Sequence, residues 1–397
     1  MNDWVVNGYS KRWLKRGFPW VYPNERLKGR GRVGDEVVLH SEEGEVLGRG
    51  LADRGKIAAR VYRHDAGPLD FSWMRSCLED ALTHRQVLIG DDTNGYRWVH
   101  GENDGLPGIR VDWWSHYAVV SVETPAVAPL LPLLVRGLVE LANPRGVYVC
   151  LRYGDPVAQQ GQVPPVQTGL VHGNAPPGPV RVQERGMLMD VDVADGPDVG
   201  LYTDMRDLRG WLEPYWGGAR VLNTFAYTGA FSVAAARCGA SEVVTVDLAA
   251  PAIMRAEQNF RANDLVPEHH TFLVADVWKA LDRLRRKGER FDRVVLDPPS
   301  FARGGEGGFQ TKRDYPRLIA AACRVLRHGG WLVAASNHGL TSPHQFRGMC
   351  LEGIHKAKCR GQLLHMGTQA GDVPAATWFP EGSYLKTAVY RVLTSGQ

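Results

Sequence analysis

The sequence predicts an α/β protein whose C-terminal half is a doubly wound parallel sheet, preceded by a small β-rich module and a central α/β domain. Three observations predict it. From about residue 200, short β-branched runs alternate with helix-period segments, the pattern of strands joined by crossover helices. Several of those runs end in a carboxylate or a small-residue turn. The first 65 residues instead hold brief apolar runs separated by Gly, Asp and charged turns, as in a compact β module. The expected domains are 1–65, 70–193 and 194–397.

Taken in order, Ser10–Arg16 reads as a short helix with Trp13 and Leu14 inward and Lys11, Arg12, Lys15 and Arg16 outward. Gly17–Pro23 follows as an extended segment, then strands over Gly34–His40, Val46–Ala52 and Ala58–Tyr62. Asp65-Ala-Gly-Pro-Leu69 is a linker. A helix over Ser72–Gln86, strands within Tyr96–Asp112 and over His116–Val122, a helix over Ala126–Leu141 and a strand over Gly146–Leu151 make the central domain. Residues 161–179 read as a loop, and Val180–Glu184 with Met187–Val193 as a hairpin. The sheet of the last domain is expected from runs beginning at Val221, Glu242, His270, Phe291 and Gly330 and from a terminal strand over Tyr384–Leu393. Helices are expected over Ala230–Arg237, Ala249–Asn263, Val277–Lys287 and Tyr315–Leu326.

The domain is organised around Val221-Leu-Asn-Thr-Phe-Ala-Tyr-Thr-Gly229, an apolar run that breaks into a tight turn before the next helix. The following strand ends at Asp247, 18 residues after Gly229. An acid there suits a ribose diol, because a carboxylate accepts from both hydroxyls. The turn lacks the three glycines that cradle a pyrophosphate, and Phe225 and Tyr227 crowd it. That opposes an NAD-linked oxidoreductase and favours a nucleoside without phosphates, of which S-adenosylmethionine (SAM) is the commonest. Ligands of open α/β sheets sit at the carboxyl ends of strands, so Asp276 and Asp297 join the candidates, Asp276 for the adenine amino group. In Asp297-Pro-Pro-Ser-Phe301 two prolines hold the loop extended. A base can lie against Phe301 and donate its amino hydrogens to Asp297 or to the Pro298 carbonyl.

The totals are those of an ordinary globular chain: 397 residues, 44% hydrophobic and 23% charged. Six cysteines without C-x-x-C pairs suggest neither a disulfide framework nor a zinc site and fit a cytoplasmic protein. No apolar run of signal-peptide or membrane-spanning length is evident. The net charge is +4, yet residues 1–32 carry eight Lys/Arg against Asp3 and Glu25. Cations interleaved with Trp13, Phe18, Trp20 and Tyr22 suggest an RNA partner, the cations meeting phosphates while most of the rings fill the module's own core.

These segments together resemble the RlmI/RlmO family of SAM-dependent 23S ribosomal RNA methyltransferases, which act at carbon 5 of cytosine. Phe18–Tyr22 and Lys56–Val61 are similar to its N-terminal PUA module, and His100–Asp112 to its central domain. Leu222–Gly229, Val246-Asp247 and Asp297-Pro-Pro299 match its SAM and target-base motifs, and Pro380–Lys386 its C-terminal signature. Gly200–Asp207 resembles the segment beside SAM, which adds Asp204 and Arg206 to Asn223, Phe225, Tyr227, Thr228, Gly229, Asp247, Asp276 and Asp297 as cofactor residues. The resemblance implies a Rossmann-like class I methyltransferase domain, SAM as cofactor, and free or partly assembled 23S rRNA as partner; a homodimer is compatible with it.

One position departs. Where the family carries a nucleophilic cysteine after the fifth strand, this chain reads Ser336-Asn337-His338-Gly339. Methylation at carbon 5 of cytosine calls for a thiolate to add at carbon 6, which Asn cannot do. Ser-Asn-His with the D-P-P loop also resembles guanine-N methyltransferases, in which a base nitrogen attacks directly. Asp297, Asn337 and His338 are therefore the expected catalytic residues. A guanine-N enzyme and an inactive RNA-binding or ribosome-assembly factor are the alternatives.

Overall fold

The computed structural model describes residues 2–153, 165–196, 198–299 and 311–394. They form two compact units. The first comprises Met1–Val182, Val191–Val199 and Gly371–Gly382; the second comprises Gln183–Asp190, Gly200–Ala370 and Ser383–Gln397.

The first unit holds two sheets. Strands β1 (Asn2–Val6), β2 (Trp20–Val21), β3 (Arg26–Lys28), β4 (Glu36–His40), β5 (Val46–Ala52) and β6 (Ala59–Arg63) form a sheet in the order β2-β6-β5-β4-β1-β3. Helix α1 (Gly8–Leu14) is capped by Asn7, whose side chain accepts from the Ser10 N–H. It buries Ser10 and Leu14, one turn apart, and not Trp13, which stays 39% exposed. The expected inward Trp13 is thus corrected: a seven-residue helix buries one i, i+4 stripe, and Trp13 lies beside it.

The second sheet runs β11-β10-β9-β8-β7, from β7 (Gly95–His100), β8 (Ile109–Trp114), β9 (Tyr117–Val122), β10 (Gly146–Leu151) and β11 (Gly169–Gly173), with α2 (Phe71–Leu88) and α3 (Leu131–Ala142). Strand β11 lies in the stretch expected to be loop; its two glycines and single apolar pair hide it. Pro125–Ala142 is long and apolar enough to cross a membrane by composition, which corrects the expectation that no such run exists. Here its Val127, Leu130, Leu134 and Leu138 belong to this sheet's core. The two sheets of the unit are joined by a buried ion triad, Arg60 lying 2.8 Å from both Asp53 and Glu102.

Next in the chain, β12 (Val180–Glu184) and β13 (Met187–Val191) pair as the expected hairpin. In the second unit, strands β14 (Arg220–Thr224), β15 (Glu242–Asp247), β16 (Thr271–Val274), β17 (Phe291–Leu296), β18 (Leu326–Ser336), β19 (Cys359–Gly367) and β20 (Lys386–Thr394) order as β16-β15-β14-β17-β18-β20-β19. The first five are parallel, and β20 inserts antiparallel between β18 and β19. Leu222 of β14 faces Val244 on one side and Val294 on the other. The strand order reverses there, so the carboxyl ends of β14 and β17 open a crevice. The flanking helices are α5 (Ala230–Arg237), α6 (Ala250–Ala262), α7 (Val277–Arg286), α8 (Thr311–Cys323) and α9 (Pro343–Lys356), with α4 (Arg206–Leu212) ahead of β14. Leu222, Val246, Phe291, Ile319, Leu332 and Phe346 lie in the shared core.

Helix α9 escapes the sequence pattern because glycines interrupt it. A Cβ on Gly353 would come within 2.4 Å of Ile319, so glycine is what lets α9 pack closely on α8. Strand β19 escapes because it is an edge strand with most of its residues exposed or half-buried, leaving no clean alternation to read.

Candidate active site

The turn after β14 is built from residues held at positive φ: Phe225 at 54°, Tyr227 at 50° and Gly229 at 83°. Non-glycine residues rarely sit there, and such strain persists only where the surroundings hold it. Asp247 does the holding. Its carboxylate accepts from the Tyr227 N–H at 2.8 Å and, through the other oxygen, from the Ala249 N–H at 2.9 Å. Below the turn, Asn259 of α6 donates to the Thr228 carbonyl at 2.9 Å, and the Thr228 hydroxyl donates to the Gly200 carbonyl. Gly229 is required for two reasons: its φ, and Ala256 of α6, whose Cβ would lie 2.8 Å from an added methyl.

This turn forms one wall of a cavity of about 890 Å³ at the strand ends. Asp204, Asn223, Phe225, Tyr227, Thr228 and Asp247 line it, as do Asp276, Asp297, Pro298 and Asn337. Asn223 is oriented by its bond to the Ser232 hydroxyl at 2.9 Å. Asp276 caps α7, accepting from the Lys279 N–H at 3.1 Å; it follows β16 rather than ending it, because the strand stops at Val274. Asp204 accepts from the Tyr384 hydroxyl at 2.6 Å. Burial pushes the Asp297 carboxyl up to about 7, the Asp204 carboxylate adds to this, and Arg209 opposes it. Arg209 itself is held by Glu184 at 2.6 and 2.7 Å.

Other expected site residues lie elsewhere. Gly229 shapes the turn without lining the cavity, and Arg206 is buried at the start of α4. His338 is off the cavity wall: its Nδ1 pairs with the Thr341 hydroxyl at 2.7 Å, and its carbonyl accepts from Lys386 Nζ at 2.7 Å. Burial lowers the Lys386 ammonium to about 8. Phe301 lies outside the described residues. Lys11, Arg12, Lys15 and Arg16 belong to the first unit, where Lys11 is 2.7 Å from Glu43 and Lys15 is 2.7 Å from Glu45. Two of those four expected RNA-facing cations therefore already have acidic neighbours. Arg12 and Arg16 lie over the Tyr9 and Trp13 rings.

Sequence reasoning missed Arg209, Trp278, Lys279, Arg313 and Arg317, all on the cavity wall. Trp278 and Lys279 had a signal, lying in the first turn of the helix that Asp276 caps after a strand end. The arginines had none, being scattered over α4 and α8. All six cysteines are described and none lines the cavity. Burial holds the Cys323 and Cys350 thiols well above their usual range, which makes both inert as nucleophiles.

The donor set fits SAM. The volume is that of a small-molecule site. The wall carries five aspartates, Asp204, Asp247, Asp276, Asp297 and Asp314, against four cations. Arg209 is committed to Glu184, and Arg313 and Arg317 lie 2.9 and 3.4 Å from Asp314, so the remaining carboxylates suit a sulfonium. The turn, with one glycine and two aromatic residues, offers no phosphate cradle.

Fold and site together define a SAM-dependent methyltransferase. The model of the S-adenosylmethionine-dependent methyltransferase family matches residues 157–367, and that of the PUA-like domain matches residues 6–64. The chain is 34% identical over 393 residues to ribosomal RNA large subunit methyltransferase I of Aeromonas salmonicida, covering 98% of each. It is also 34% identical to the protein of that name from Photobacterium profundum, covering 96% of this chain and 97% of that one. The chain belongs to the ribosomal RNA large subunit methyltransferase I family. Its fold is shared with a protein from Streptococcus mutans, at a TM-score of 0.85 and 24% identity over 98% of this chain and all of that one.

Proposed function

We propose that the chain transfers a methyl group from SAM to a nitrogen of a base in 23S ribosomal RNA, without a covalent enzyme–RNA intermediate. The observation that carries this reading is the cavity wall, which offers Asn337 and Asp297 and no thiol. When bound, SAM supplies a methyl carbon already activated by its sulfonium. The chain's own work is then positioning and proton handling. Asn337, exposed at the cavity mouth beyond β18, presents an amide that can donate to or accept from a base edge. Asp297 accepts a hydrogen from the amine that is to be methylated and takes the proton that amine sheds. Pro298 cannot donate, so its loop leaves a carbonyl for the second amino hydrogen. Asp247 accepts from the ribose hydroxyls, and Asp276 from the adenine amino group. A base must leave its stack to reach such a cavity, which favours free or partly assembled rRNA, in the cytoplasm, as the substrate.

The trap experiment tests this. A thiolate that adds at carbon 6 of 5-fluorocytidine RNA is held there, because fluorine cannot leave as a proton does. This chain is expected to form no SAM-dependent adduct stable to denaturing electrophoresis, and Asn337→Ala to slow methyl transfer on the order of 10- to 100-fold through lost positioning. A trapped adduct that disappears when Cys323, Cys350 or Cys359 is replaced by Ser would restore carbon 5 of cytosine as the target.

A further inference from the structure

Beside the cavity, α7 and α8 form a second depression, a groove of about 560 Å³. Each helix gives it one heptad face. Trp278, Leu281, Asp282 and Arg285 come from α7, and Arg317, Ala320, Ala321 and Arg324 from α8 and the residue just beyond it. Lys356, at the end of α9, completes the lining. The groove thus holds four cations against one carboxylate. Two alanines on α8 keep its floor low. Arg317 and Arg324 are seven residues apart, two turns and about 10 Å along one helix face. Arg324 has no ion-pair partner among the described residues, whereas Arg285 is 3.2 Å from Asp282 and Lys356 is 2.6 Å from Glu352.

The groove adjoins the cavity: Trp278 and Arg317 line both. The Arg317 guanidinium lies over the Trp278 ring, 5.6 Å from its centroid. One of its nitrogens reaches Asp314 at 3.4 Å, and the N–H donors that this bond does not use suit a phosphate. We propose that this groove binds the phosphate backbone of the RNA strand whose base enters the cavity. The inference rests on the rRNA reading above. An acidic protein segment would also suit the charge, but a surface that adjoins a base-binding cavity favours the strand that carries the base.

The test uses the full-length chain and 23S rRNA from a strain lacking it. The triple variant Arg285→Gln/Arg324→Gln/Lys356→Gln leaves the cavity wall untouched, so S-adenosylhomocysteine should bind as to the wild type. Its rRNA affinity should fall at least about 10-fold at moderate salt, and the slope of log affinity against log salt should flatten by about 2, near 0.7 for each single-strand phosphate that is no longer neutralised. In the wild type, rRNA should protect Arg285 and Arg324 from phenylglyoxal, a readout that needs no variant. Unchanged affinity and slope, with both arginines unprotected by an rRNA that the wild type methylates, would overturn the groove and leave the rRNA reading standing. If the wild type neither binds nor methylates that rRNA, both fail.

Discussion

Replacing Asp297 with Asn is expected to slow methyl transfer by about 10²- to 10⁴-fold, the usual worth of a positioned acid–base group. Affinity for S-adenosylhomocysteine should change little, because an interaction realised in the transition state appears in the rate and not in ground-state binding. The carboxyl is held at about 7 by burial and by Asp204. Its proton-accepting form therefore accumulates as pH rises through neutrality, and the wild-type rate should rise with it. The residual rate of Asp297→Asn should lack that step. The same group links stability to pH. Its ordinary value is 3.8 and its folded value about 7, so between these the folded chain keeps a proton that the unfolded chain has released. Its contribution is full below the lower value and is lost as pH rises through the upper one. Asp297→Asn, which cannot ionise, should therefore unfold at a higher temperature than the wild type above pH 7, the difference narrowing towards pH 4. A variant with wild-type rate and an unaltered pH profile would remove Asp297 from the chemistry.

Asp247→Ala should have the second-largest effect, on cofactor affinity. Its carboxylate holds the Tyr227 and Ala249 N–H groups at 2.8 and 2.9 Å, and those bonds keep Tyr227 at its positive φ of 50°. Hydrogen bonds to a charged acceptor are worth about 1.5–3 kcal/mol each. Losing the ribose acceptor and loosening the turn should together weaken S-adenosylhomocysteine binding on the order of 10²- to 10³-fold, or about 2.7–4 kcal/mol. Asp247→Asn keeps one acceptor oxygen and should lose less. Without ligand the Ala variant should also unfold at a lower temperature, and saturating ligand should restore less of that loss than it adds to the wild type. Calorimetric titration reads the first effect and thermal melts the second. Unchanged affinity in Asp247→Ala would exclude it from the ribose site.

Much of this site was legible in the sequence because chain-local features carry it. The β-branched runs ending in Thr224 and Asp247, and the prolines after Asp297, mark strand ends whatever the rest of the chain does. Parallel order then brings those ends together, and the cavity follows from topology. What the sequence hid depends on packing between distant segments. Helix α9 needs Gly353 against Ile319, and a glycine in a helix pattern reads as a break. His338 follows Asn337 directly, yet it turns to Thr341, a choice made by the loop's own hydrogen bonds. Charge is legible as a run along the chain, whereas the neighbours of each charge are not. The cations of residues 1–32 stand out as a run, and the acids that Lys11 and Lys15 meet, Glu43 and Glu45, come from the turn between β4 and β5. Arg285 of α7, Arg324 just beyond α8 and Lys356 of α9 come together from separate segments and leave no run to notice.

The central claim is tested most directly by mapping methyl groups on 23S rRNA. The purified chain, SAM with an isotopically labelled methyl group, and 23S rRNA from a strain lacking the protein are incubated together, and the products are digested and sequenced by mass spectrometry. The expected result is one labelled methyl group on a ring or exocyclic nitrogen of a single base. A labelled methyl at carbon 5 of a cytosine, or no label in the rRNA while S-adenosylhomocysteine still binds, would contradict it.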